Sequence, residues 1–119
     1  MSIADEITKA VGAHAQWKQR LRSAIDTGKS DFDPAKVKTD NNCDFGKWLY
    51  SLDAEKNSTD WKNIQALHAD FHKEAGQILD TALKGNKVAA NAALDLGKPF
   101  TSISSKLTSA LMAWKNKAG

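Results

Sequence analysis

The chain has 119 residues, a length that argues for one domain with one core across residues 1–119. Its 41% hydrophobic and 26% charged content is that of an ordinary globular protein, and no apolar run approaches transmembrane length. The formal charge is only +3; the lysines are interleaved with Asp and Glu, which reads as solvated helix faces and excludes a nucleic-acid surface.

The first segment, with Asp5 and Glu6, lacks the apolar core of a signal peptide. With a single cysteine and no export signal, the expected location is cytoplasmic, with no direct membrane insertion. Two prolines, few β-branched residues and abundant Ala, Lys, Leu and Asp favour helix.

Residues 3–26 place Ile3, Ile7, Ala10, Val11, His14, Trp17, Leu21, Ala24 and Ile25 at alternating threes and fours, one face of a long amphipathic helix. Ser2 is its expected cap and Gly28 follows its end. Residues 27–42 collect Gly, Ser, Asp, Asn and Pro and read as a loop, anchored by Phe32 and Val37. Residues 43–52 read as a short helix with Phe45, Trp48, Leu49 and Leu52 on one face, capped by Asp40, Asn41 or Asn42.

Ser58 or Thr59 opens a second long helix, which runs to about Lys84 and ends at Gly85 as a left-handed cap. Its stripe holds Trp61, Ile64, His68, Phe71, His72, Ile78 and Leu79. A last helical stretch covers residues 88–117, and Gly97 and Pro99 predict a kink or break near residue 98. The expected architecture is an all-α, antiparallel four-helix bundle: three long helices and a short one carrying the cysteine.

The three histidines, His14, His68 and His72, all fall in or beside these apolar stripes. His68 and His72 are spaced i, i+4, so their rings project from one helix face and can share a metal ion. A lone histidine on such a face is more often a hydrogen-bonded core residue, and a lone cysteine more often a small buried hydrophobe. Here, however, every His and Cys of the chain lies where it can reach one core. Three imidazoles and the Cys43 thiolate suit a tetrahedral zinc ion.

Other metal chemistries lack their motifs. No Glu stands three residues before a histidine, which counts against a di-iron bundle. A zinc finger needs a second cysteine. The zinc-protease helix needs Glu after its first histidine, where this chain has Ala69, and covalent haem attachment needs Cys-x-x-Cys-His.

The stretches "HAQWK" (14–18), "CDFGKWLY" (43–50) and "LHADFH" (67–72) together resemble the chemoreceptor zinc-binding (CZB) domain family. Its pattern is a histidine with Trp three residues later, then Cys-x-Phe-Gly-x-Trp-Leu, then His-x-x-x-His. The resemblance implies a helical bundle that binds Zn2+ through His14, Cys43, His68 and His72. It further implies a bacterial, cytoplasmic, often homodimeric module attached to chemoreceptors or diguanylate cyclases. Such modules act in chemotaxis or cyclic-di-GMP signalling and sense zinc or oxidants such as hypochlorous acid. The chain carries no receptor signalling hairpin, cyclase domain or membrane anchor, which leaves its output open between a stand-alone member and an isolated domain.

Four protein ligands leave no position for a substrate, so no enzyme activity is expected and the chemistry falls to sulfur, with Cys43 as the redox-sensitive group. Either oxidation of Cys43 or zinc occupancy itself is then the signal. Asp40, Asp44 and Asp70 are candidates to accept the second N–H of the ligand histidines, against the plainer reading of solvated or capping acids. At Asp40 the resembling family often carries an aspartate. Trp17, Phe45, Trp48 and Phe71 flank the ligands and read as core and as a dry shell. Gly46 is expected to permit close approach of the short helix to its neighbours. The competing readings are a structural zinc protein with no sensing role, a metalloenzyme with an exchangeable water, and a metal-free helical adaptor.

Overall fold

The computed structural model describes residues 3–41 and 43–118. Its helices are α1 (Ile3–Thr27), α2 (Pro34–Val37), α3 (Asp44–Tyr50), α4 (Thr59–Leu83), α5 (Lys87–Ala93) and α6 (Pro99–Ala118), with a 3-10 turn at Asp53–Glu55. No strand occurs among the described residues. The expected caps Ser2 and Asn42 lie outside them.

The long helices α1, α4 and α6 pack against one another pairwise. Their apolar stripes supply the fully buried side chains Ile7, Leu21, Ile25, Ile64, Phe71, Leu79, Leu107 and Leu111. Each such side chain stabilises the fold by roughly 1.5–3 kcal/mol relative to exposure. Burial of these stripes, more than helix propensity, holds the long helices in place. Among the described residues, no helix is long and apolar enough to cross a membrane.

The structure differs from the sequence reading in two places. The 27–42 loop contains a helix, α2, whose N-cap Asp33 accepts the Ala35 amide at 3.0 Å ahead of Pro34. The acid-then-proline pair was the available signal. The cap of α3 is neither Asp40 nor Asn41 but Cys43, which sits extended (φ −85°, ψ 158°) with its sulfur accepting the Gly46 amide at 3.3 Å. The last stretch breaks where Gly97 and Pro99 predict a kink or break, α5 ending at Ala93 and α6 opening on Pro99.

The remaining boundaries agree closely. Ser58 caps α4 through the Trp61 amide at 3.1 Å, and Gly85 is left-handed at φ 85°. Trp61 Nε1 donates to the Leu49 carbonyl at 2.9 Å, fastening the end of α3 to α4.

Candidate metal centre

α1 contributes His14 and α4 contributes His68 and His72, all three on core-facing positions and 7% exposed or less. The N-cap of α3 contributes the half-buried Cys43. One donor atom from each of these four residues lies within 4.8 Å of all the others. Cys43 Sγ stands 3.3 Å from His68 Nε2, and the Nε2 atoms of His68 and His72 are 3.1 Å apart. A zinc tetrahedron with Zn–N near 2.05 Å and Zn–S near 2.3 Å has edges of roughly 3.3–3.6 Å. The Cys43–His68 and His68–His72 separations are near the edges of such a shell, and the remaining donor pairs lie within 4.8 Å.

The tautomers agree with that use. His14 Nδ1 donates to the Ala10 carbonyl at 2.7 Å, and His72 Nδ1 donates to the Val37 carbonyl at 3.1 Å. A carbonyl only accepts, so both rings carry their proton on Nδ1 and keep a lone pair on Nε2. His68 Nδ1 is buried without a hydrogen-bond partner. Two facing nitrogens and a sulfur satisfy one another poorly, whereas a cation between them uses every lone pair.

Burial sets the charge states. Desolvation lowers the His14 pKa to about 4, against a smaller opposing effect of the Ala10 carbonyl. Desolvation, then the neighbouring His72 and His14, lowers His68 to about 2. His72 is also lowered by burial, partly opposed by the Val37 carbonyl and the charge of Asp40. All three imidazoles are neutral at pH 7, the form that binds metal. Burial raises the Cys43 thiol, with the Gly46 and Phe45 amides opposing. Without a metal, Cys43 therefore holds its proton at neutral pH.

The outer partners are not the expected aspartates. Asp40 accepts from the Tyr50 hydroxyl, while Asp44 and Asp70 are exposed. The Nδ1–H groups of His14 and His72 go to main-chain carbonyls instead, because a buried histidine meets backbone before it meets a solvated acid. Asp40 acts on His72 through space only. Of the four flanking aromatics, Phe45 lies 5.0 Å from the His68 ring and Phe71 lies 5.0 Å from the His14 ring. Trp17 packs on Phe32 at 5.0 Å, and Trp48 packs between Phe45 and Trp114 at 5.7 and 6.0 Å.

Two glycines let the backbone close around the site. A Cβ on Gly46 would stand 1.8 Å from the Asp40 carbonyl oxygen, so only glycine lets residues 40–41 cross α3 there. A Cβ on Gly76 would meet Lys38 Cγ at 2.4 Å and the Pro34 carbonyl oxygen at 3.0 Å, so Gly76 admits α2 onto α4. That contact carries the Val37 carbonyl to His72, and the sequence reading did not single out Gly76. A cavity of about 740 Å³ between α1, α2 and the start of α3 reaches His14, Cys43 and His72.

Residues 14–79 match the chemoreceptor zinc-binding domain family, a span that holds all four donors and more than half of the chain. No curated protein and no solved structure matches the chain. The donor set fits a zinc ion in chemistry and spacing, and the chain belongs to the chemoreceptor zinc-binding domain family.

Proposed function

We propose that the chain is a zinc-binding sensory domain that registers zinc, or an oxidant such as hypochlorous acid, at Cys43 and passes the change to a signalling partner. The observation that carries this reading is the double use of one sulfur. Cys43 Sγ accepts the Gly46 amide as cap of α3 and stands 3.3 Å from His68 Nε2 on α4. Zinc held by His14, Cys43, His68 and His72 would keep that sulfur a thiolate and draw α1, α3 and α4 to one point.

Hypochlorous acid transfers its oxygen to the Cys43 thiolate and chloride leaves, so sulfur is oxidised to a sulfenic acid and chlorine is reduced. The altered sulfur is a poorer donor to the metal and a poorer acceptor for Gly46. Both ties of α3 weaken together, and residues 40–50 shift. The far end of this segment stays on α4 through Tyr50, whose hydroxyl accepts from Gln65 at 3.1 Å.

The rest of the reading follows from the family and the donor set. Four protein donors leave no place for a substrate, so the domain is not an enzyme. Its helices act as an antiparallel four-helix bundle in which α5 and α6 form one interrupted fourth helix. It works as a cytoplasmic homodimer coupled to a chemoreceptor or diguanylate cyclase; the unpaired Cys43 fits a reducing compartment.

The deep burial of the three histidines favours a second reading, a zinc ion that only braces the bundle. Titrating the zinc-loaded protein with hypochlorous acid separates the two. Sensing requires zinc release and a change in conformation as Cys43 oxidises. Oxidation without either leaves the structural role.

A further inference from the structure

We propose that His68 is a conditional donor of the metal centre, an imidazole whose Nε2 is kept facing the other donors by Cys43 alone, so that losing the sulfur withdraws a second donor with it. This rests on the zinc-binding reading above. Half a turn of a buried imidazole about its Cβ–Cγ bond exchanges Nδ1 with Cδ2 and Nε2 with Cε1. The shape of the ring hardly changes, so apolar packing does not tell the two orientations apart; a hydrogen bond does. His14 and His72 are locked in this way, since turning either ring breaks the bond from Nδ1 to the Ala10 or the Val37 carbonyl. His68 has no such lock. Its Nδ1 is buried without a hydrogen-bond partner, and the residue is 0% exposed, so solvent does not replace one. The rings of Phe45, His14 and His72 stand around it at 5.0, 4.9 and 4.5 Å and hold its plane only.

Among the described residues, two groups stand within hydrogen-bonding reach of His68 Nε2: Cys43 Sγ at 3.3 Å and His72 Nε2 at 3.1 Å. The His72 nitrogen presents a lone pair, because its ring proton is on Nδ1. It has nothing to give to the lone pair with which His68 binds a metal. Cys43 differs: as a thiol it donates to that lone pair, and as a thiolate it shares the ion with it. The centre is therefore uneven. Oxidation of Cys43 by hypochlorous acid removes two donors at one event, whereas His14 and His72 stay aimed by main-chain carbonyls.

The test is a pair of double-mutant cycles on the whole chain, read by competition for zinc with a chelator. In the wild-type background, His68→Ala and His72→Ala each weaken zinc binding by more than about tenfold. In the Cys43→Ala background, adding His68→Ala changes affinity by no more than about threefold, while adding His72→Ala keeps its full loss. A full His68→Ala loss in the Cys43→Ala background overturns the proposal. If a double variant loses helicity, or Cys43→Ala binds too little zinc to titrate, ring-nitrogen NMR of the metal-free wild type and Cys43→Ala decides. A His68 ring that is sharp in the wild type and broadened or doubled in Cys43→Ala, with His14 and His72 sharp in both, supports the proposal. Three sharp rings in Cys43→Ala overturn it. A wild-type protein that binds no zinc overturns the zinc-binding reading itself, and the proposal with it.

Discussion

The carbonyl of Val37 accepts a hydrogen bond from Nδ1 of His72 at 3.1 Å, joining positions 35 residues apart. The bond fixes the ring so that Nε2 faces His68, 3.1 Å away. It exists because α2 lies close on α4, and α2 lies close because residue 76 has no side chain. The orientation of one metal ligand is thus set by a four-residue helix inside a loop.

Gly76→Ala tests this chain of contacts. The added methyl stands 2.4 Å from Lys38 Cγ and 3.0 Å from Lys38 N and the Pro34 carbonyl oxygen, so α2 must move. Overpacking of this kind costs about 1–3 kcal/mol. Loss of an outer hydrogen bond to a metal-bound histidine weakens affinity about 10- to 100-fold. Urea unfolding and competition with a chelator measure the two effects, and an unchanged affinity shows that Val37 does not position His72.

Much of this was legible beforehand. The His14, His68 and His72 positions followed from helical periodicity, and the cysteine motif identified the fourth donor. α2 was missed because four residues carry no periodicity, and only the Asp33–Pro34 pair announces it. The Ala10 and Val37 carbonyls were invisible for a different reason: every residue has a carbonyl, so no pattern of side chains marks which one a ring will find. Cys43 as its own helix cap was hidden by more usual capping residues on either side of it.

Metal binding at neutral pH releases about one proton per ion. The proton comes from the Cys43 thiol, which burial pushes above the usual thiol range. The histidines release none, because burial holds all three below 6.5 and hence neutral. Calorimetric titration in buffers of different ionisation enthalpy counts the protons. A count near zero places a thiolate in the metal-free protein.

The metal-free protein loses stability in acid. The folded histidine pKa values lie below 6.5, so the unfolded chain binds more protons as pH falls. Stability is complete above pH 6.5 and declines below it; for His14 the decline continues to about pH 4. Each histidine that stays neutral lowers stability by about 2 kcal/mol near pH 5. Urea midpoints near pH 7.5 and pH 5 provide the comparison, with the lower midpoint expected in acid.

Tyr50→Phe separates anchoring of the 40–50 segment from ligation. It removes the hydroxyl that donates to Asp40 and accepts from Gln65. None of the four donors changes, so zinc affinity stays within about threefold. The segment opens more often, and Cys43 in the metal-free protein reacts faster with an alkylating agent. Equal alkylation rates in variant and wild type show that Tyr50 does not hold the segment.

The most direct test is metal analysis of the protein purified with zinc present and dialysed free of excess. One tightly held zinc per chain in the wild type, lost or strongly reduced in Cys43→Ala while helicity is retained, is the predicted result. Wild-type protein that carries no zinc contradicts the account.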